Sequence, residues 1–248
     1  MAQSIEKWIG KVAVVTGASS GIGAKIAEIL VKNGMLVVGI ARRDELIENL
    51  SKQLNNEAGK LFAMKVDVTI DEELIGAFHG IEEKYGAIHV LVNNSGIFPQ
   101  GPLLGGDIAL WRKVMDTNLL ACCISTREAI RIMTENEVNG QIININSVAG
   151  HYVPDFPNLN LYPASKHGVT TITETFRREL IDAGSKIKVT SISPGFVLTE
   201  GVKHTFNVLE IESILQPEDI AQAVIYVLST PERVNVNEII IKPVGQRI

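Results

Sequence analysis

A tyrosine and a lysine stand four residues apart at Tyr162 and Lys166. On a helix that spacing puts both side chains on one face. There an ammonium group stabilises a phenolate and lowers the phenol pKa from its ordinary value of about 10. A tyrosine tuned in this way exchanges a proton near neutral pH. The pair alone fits an ordinary helix equally well, so its meaning depends on what else the chain carries. Upstream, Thr16-Gly17-Ala18-Ser19-Ser20-Gly21-Ile22-Gly23 lies between an apolar run and a helical pattern. Glycines in that context let the backbone turn tightly and approach a pyrophosphate. The helix N-terminus beyond them offers N–H groups and a positive dipole end.

These groups need a scaffold, and the chain alternates short β-branched runs with longer helical patterns. The expected strands are 12–15, 36–40, 61–66, 88–92, 141–146, 187–192 and 238–241. The expected helices are 22–32, 45–55, 72–84, one long stretch over 107–135, then 162–182 and 217–229, with Pro217 suited to a first turn. Runs this apolar belong to strands buried on both faces, hence to a parallel sheet flanked by helices. Right-handed crossovers then give an α/β, Rossmann-type, doubly wound sheet of seven strands within one domain, residues 1–248. Two segments break the rhythm, Gly150 to Asn160 and Leu198 to Gln216. Both follow strands, where open α/β sheets hold ligands, and the second reads as a substrate lid.

Composition narrows the function. Of 248 residues, 46% are hydrophobic and 21% charged, with a formal net charge of −5. Without a basic patch, a nucleic-acid partner is not expected. No run approaches the roughly 18 apolar residues of a membrane span. The N-terminus lacks an apolar signal-peptide core, and the two cysteines, Cys122 and Cys123, are adjacent rather than framed for a disulfide. A cytoplasmic setting is the expectation, and no metal site is expected.

The glycine spacing is Gly-x-x-x-Gly-x-Gly, and here the sequence resembles the short-chain dehydrogenase/reductase family. Further matches are Asn93-Asn94-Ser95-Gly96, with Ser95 where the family usually has alanine, then Ser147, Tyr162-x-x-x-Lys166 and Pro194-Gly195. They follow the family's order across nearly the whole chain. The resemblance implies a nicotinamide cofactor cradled by Gly17, Ser19, Ser20, Gly21, Ile22 and Gly23, with Asp67 and Val68 beside the adenine. It implies Asn94 along the ribose, and Pro194, Gly195, Val197 and Thr199 at the nicotinamide end. It also gives Lys166 a bond to the nicotinamide ribose, and gives Asn118 a water in the proton relay. The cofactor choice follows from residues after the second strand. Ala41 stands where NAD sites place an acid, and Arg42 and Arg43 follow, suited to the 2′-phosphate of NADP(H).

In this reading Tyr162 is the acid in reduction and the base in oxidation. Ser147, at the end of the fifth strand, hydrogen-bonds the substrate oxygen and steadies the charge that builds there. His151 lies near Ser147 but has no companion acid in view, and is assigned to shaping the substrate loop. The irregular segments supply Tyr152, Val153, Phe156 and Leu159, then Phe196, Val197, Leu198, Val202, Phe206, Val208, Leu209 and Ile211. Walls of that kind suit a small hydrophobic alcohol or carbonyl compound. Within the family, Ser125-Thr126-Arg127-Glu128 and Ala223 to Pro231 resemble insect NADP-dependent farnesol dehydrogenases and related vertebrate ketosteroid reductases. This implies a terpenoid or steroid substrate, and a homodimer or homotetramer to which the tail 239–244 would contribute. Two rivals stand beside it: a cofactor-binding sensor that no longer turns over, and a sugar-nucleotide epimerase. The first would lack Tyr, Lys or Ser, and the second is longer with a different glycine spacing.

Overall fold

The computed structural model describes residues 5–205 and 213–245. Strands β1 (Val12–Thr16), β2 (Leu36–Ala41), β3 (Lys60–Lys65), β4 (Val90–Asn93), β5 (Gln141–Ile145), β6 (Lys188–Pro194) and β7 (Glu238–Ile241) form one sheet. Its order is β3-β2-β1-β4-β5-β6-β7 and every neighbouring pair is parallel. Strands β1, β4 and β5 are buried along their whole length, as strands covered on both faces are, and the polar Thr16, Asn93, Gln141 and Asn144 are buried with them.

Successive side chains on a strand point to opposite faces, so each strand serves two cores. On one face Ala13, Val15, Val37 and Val92 pack with Ile26 and Leu30 of helix α1 (Gly21–Lys32) and Val224 and Val227 of helix α8 (Pro217–Ser229). On the other, Val12, Val14, Val38 and Leu91 meet Phe78 and Ile81 of α3 (Asp71–Tyr85) and Ile132 and Met133 of α5 (Ala121–Glu135). Helix α6 (Tyr162–Asp182) covers this second face beside β6. Helix α2 (Asp44–Gln53) packs against β3 at the sheet's edge.

The helix ends follow local chemistry. Asp107 Oδ1 accepts from Ala109 N at 2.8 Å and starts α4 (Ile108–Met115). Asp219 Oδ2 accepts from Gln216 N at 2.8 Å at the start of α8, where Pro217 occupies the first turn. Gly86, at φ 81°, ends α3.

The stretch 107–135 is not one continuous α-helix. Between α4 and α5, residues Asp116–Leu120 make a π turn. Such wide turns keep the helix axis running while rotating one residue off its regular face, and they recur at functional sites. Here the residue carried by the turn is Asn118.

Because β1 lies between β2 and β4, connections leave it towards opposite sides of the sheet. That reversal opens a crevice beyond the carboxyl ends of the strands. Among the described residues no helix is long and apolar enough to cross a membrane.

Candidate active site

The crevice holds about 1600 Å³, larger than a single small-molecule pocket, and it runs from the end of β2 past β1 and β4 to the start of α6. One end is built by the turn from β1 to α1, whose residues Gly17, Ser19, Ser20, Gly21 and Ile22 line it. Gly17 and Gly21 have φ of 66° and 56°, in the left-handed region that glycine enters without strain. Ser20 caps α1 without a side-chain hydrogen bond, and Gly21 and Ile22 of its first turn line the crevice. A glycine cradle with unclaimed helix donors fits an anionic diphosphate.

Gly23 does not line the crevice. It lies behind the turn, where a β-carbon would come within 2.3 Å of both Asn94 Nδ2 and Gly17 O. Asn94 braces the turn from β4: its Nδ2 donates to Thr16 O at 3.0 Å and Gly17 O at 3.2 Å. Thr16 Oγ1 in return accepts from Asn94 N and Ser95 N, each at 3.0 Å. Serine in place of alanine at position 95 therefore leaves this brace intact, since residue 95 contributes only its backbone N–H to it.

Beyond the turn, Arg42, Arg43, Asp67 and Val68 line the same crevice. Arg43 Nη2 donates to Ser20 Oγ at 3.2 Å, and Arg42 Nη1 lies 3.9 Å from Asp67 Oδ2. Burial opposes ionisation of Asp67, but hydrogen bonds from Thr69 N and Oγ1, at 3.0 and 2.8 Å, and the charge of Arg42 outweigh it. Its pKa is held below the usual carboxylate value. Helix α4 adds Lys113 to this end.

Ser147, Tyr162 and Lys166 line the same crevice, as do Pro194, Gly195, Val197 and Thr199. Thr199 lies against Gly21 of the turn, where a β-carbon would meet Thr199 Cγ2 at 3.1 Å. The four-residue spacing does place Tyr162 and Lys166 on one face of α6, with the Lys166 Nζ 5.9 Å from the Tyr162 ring centroid. The expected depression of the phenol pKa is not what the chain alone produces. Burial pushes the Tyr162 pKa above its usual value, and the hydrogen bond with Ser147 pulls the other way without prevailing. The ammonium is engaged elsewhere: Lys166 Nζ donates to Ile145 O at 3.0 Å. Lys166 is itself lowered to about 8 by burial. At neutral pH it still carries its proton.

Asn118 stands outside the crevice, fully buried, beside a small recess of about 10 Å³, enough for about one water. Its Oδ1 accepts from Ile97 N at 2.8 Å, and its Nδ2 donates to Ile97 O at 3.0 Å and Ser165 Oγ at 3.1 Å. Cys122 borders the same recess. Burial pushes its thiol up to about 12, which makes it inert packing rather than a nucleophile. Both cysteines are free.

His151 has a companion acid after all. Its Nε2 lies 3.4 Å from Glu238 Oε1 and 2.9 Å from Ser193 Oγ. Glu238 also accepts from Ser191 Oγ at 3.0 Å and Ser193 Oγ at 2.7 Å. This cluster ties the root of the 150–160 loop to β6 and β7, consistent with a shaping role.

Of the apolar residues expected to wall the site, Tyr152, Phe156, Leu159, Phe196, Val197 and Val202 line the crevice. Val153 is 72% exposed and faces solvent. Phe206, Val208, Leu209 and Ile211 lie outside the described residues. Phe156 and Phe196 meet edge to face at 5.2 Å and so join the first irregular segment to the stretch that leads into the second. The second segment contains α7 (Glu200–Thr205), and its ends are tied by Leu198 N to Leu215 O at 2.7 Å and Leu215 N to Phe196 O at 2.9 Å. Sequence reasoning missed Phe98, Pro99, Leu110 and Val244, which also line the crevice. Position just after Asn93-Asn94-Ser95-Gly96 was the one local signal for the first two. Val244, whose tail was expected to suit a subunit interface, also lines the crevice.

Residues 11–208 match the family described as short chain dehydrogenase. The chain is 51% identical over 245 residues to a farnesol dehydrogenase of Aedes aegypti, covering 98% of this chain and 100% of that protein. It is 40% identical over 253 residues to dehydrogenase/reductase SDR family member 11 of Gallus gallus, covering 98% of this chain and 99% of that one. Among solved structures it resembles an alcohol dehydrogenase of Thermococcus sibiricus complexed with 5-hydroxy-NADP. There the TM-score is 0.86 at 25% identity, over 96% of this chain and 98% of that one.

Proposed function

Because the chain belongs to the short chain dehydrogenase family of oxidoreductases, we propose that it is an NADP(H)-dependent enzyme interconverting a hydrophobic alcohol with its aldehyde or ketone. The observation that carries this reading is the convergence of Ser147, Tyr162 and Lys166 in one crevice. That crevice has a glycine cradle at one end and aromatic walls at the other. The cofactor supplies the hydride. The chain supplies the proton, the orientation and the exclusion of water.

Tyr162 donates its phenolic proton to the carbonyl oxygen in reduction and takes it back in oxidation. Ser147 hydrogen-bonds the same oxygen and stabilises the charge that develops on it. Lys166, protonated at neutral pH, faces the Tyr162 ring and favours the phenolate once a proton has left. Lys166 also bonds the nicotinamide ribose, and Asn118, beside its small recess, holds a relay water. Gly17, Ser19, Ser20, Gly21 and Ile22 bind the diphosphate, with Gly23 allowing the turn. Asp67, Val68 and Asn94 flank the adenosine, and Pro194, Gly195, Val197 and Thr199 the nicotinamide.

Arg42 and Arg43, with Ala41 in place of an acid, favour the 2′-phosphate. The NADP derivative named with the Thermococcus sibiricus structure supports that choice. A terpenoid alcohol such as farnesol is the leading substrate class and a steroid the next. Support comes from the apolar walls and from the name of the Aedes aegypti relative. Residues 198–216 act as the lid over one domain, 1–248. A homodimer or homotetramer in the cytoplasm completes the reading.

The test is a screen of the purified chain with NADPH against terpenoid aldehydes, steroid ketones, small diketones and sugars, with farnesol and NADP for the reverse direction. Turnover of a terpenoid or steroid is expected, lost in Tyr162→Phe with NADPH binding kept. NADPH binding without turnover of any compound would favour a sensor. Substantial turnover by Tyr162→Phe would remove the acid/base role.

A further inference from the structure

Phe98 meets Tyr162 edge to face, with ring centroids 4.4 Å apart and planes at 73°. The segment that carries it is pinned on both sides. Asn118 clamps Ile97 through its N–H at 2.8 Å and its carbonyl at 3.0 Å. Asn160 Nδ2 donates to Pro99 O, and Asn160 Oδ1 accepts from Tyr162 N at 3.1 Å. Asn160 does this from φ 41°, a left-handed conformation that asparagine tolerates. The contacts also close below: Asn118 Nδ2 donates to Ser165 Oγ at 3.1 Å, and Ser165 Oγ donates to Tyr162 O at 2.7 Å. The backbone of Tyr162 and the backbone on either side of Phe98 are therefore fixed by the same two asparagines.

We infer that Phe98 is a positioning residue for Tyr162, holding the phenol ring at the angle from which it serves a carbonyl oxygen. The inference rests on the proposed oxidoreductase reading. Two torsions, χ1 and χ2, set a tyrosine ring, and a helical backbone leaves more than one well open to it, so α6 alone does not fix the phenol. The contact also covers part of the ring from solvent.

The experiment compares Phe98→Ala, Phe98→Leu and Phe98→Tyr with the wild type. It measures kcat, KM, NADPH affinity by fluorescence, and ionisation of Tyr162 by ultraviolet absorbance. The last is taken for the Ala and Leu variants as the signal lost on adding Tyr162→Phe. Phe98→Ala is expected to lower kcat by about 10- to 100-fold, the scale of a misplaced catalytic group. KM and NADPH affinity should stay within about threefold. Tyr162 should ionise at lower pH as water reaches its ring, Phe98→Leu should fall between, and Phe98→Tyr should restore turnover. A raised KM with kcat intact would make Phe98 a substrate wall only and overturn the inference, as would an unchanged Tyr162 titration. If the wild type turns nothing over, the oxidoreductase reading fails, while the titration still decides whether Phe98 governs Tyr162.

Discussion

The carboxamide of Asn94 fills the space that a side chain at position 23 would need: a β-carbon on Gly23 would sit 2.3 Å from Asn94 Nδ2. The cradle is thus locked from behind, by a residue that arrives on another strand. Gly23→Ala must displace Asn94 and break its bonds to Thr16 and Gly17. We expect a loss of about 1–3 kcal/mol in urea unfolding, typical of overpacking, with weaker NADPH binding. Gly80→Ala on α3, where a β-carbon meets nothing within 4 Å, is the control. It should stabilise the protein by up to about 1 kcal/mol, as alanine does in helices.

Arg42 and Arg43 are both near neighbours of groups that could compete for them, Asp67 and Ser20. Replacing both arginines with alanine should weaken NADPH by about 10- to 100-fold, the scale of one or two charge-assisted hydrogen bonds. NADH affinity should change little. Equal losses for the two cofactors, read by fluorescence titration, would refute phosphate recognition.

Lys166 offers a pH signature. Its native pKa is about 8 against an ordinary 10.5, so between those values the unfolded chain binds more protons than the folded one. Wild-type stability should therefore gain from this group as pH rises from about 8 to 10.5. Below that window both states carry the proton and the buried charge costs roughly 2–4 kcal/mol. Lys166→Met removes that cost along with one hydrogen bond. It should melt no lower than wild type at pH 7, and its advantage should shrink through the window. A difference in melting temperature independent of pH would contradict this.

Phe156 and Phe196 cover the apolar end from two different segments. Cutting either to alanine should raise KM for a long terpenoid by about 2- to 10-fold, the scale of one aromatic pair, and leave kcat nearly unchanged. Small diketones, too short to reach the pair, should show no change. A uniform loss across chain lengths would assign these rings to packing alone.

The strands and most helices were legible because burial on both faces forces long apolar, β-branched runs such as Val12 to Val15, and because α6 and α8 begin and end on clear signals. The π turn at Asp116–Leu120 was not, since a one-residue widening leaves the apolar stripe of the flanking helices intact. Asn118 could be named from its motif, but not its grip on Ile97. His151 was read as lacking an acid because Glu238 is 87 positions away, on the last strand, and only sheet order brings them together. The pKa of Tyr162 went the wrong way for a related reason. Spacing along a helix gives proximity to Lys166, whereas the depth of burial that decides the sign is set by the whole fold.

The pinch between Leu198 and Leu215 has an evolutionary corollary. Because the two ends of that excursion are clasped to each other, a change in its length or composition transmits little strain into β6. Under the proposed lid role, natural variation or a laboratory graft there would rewrite which molecules are admitted while Ser147, Tyr162 and Lys166 stay in register.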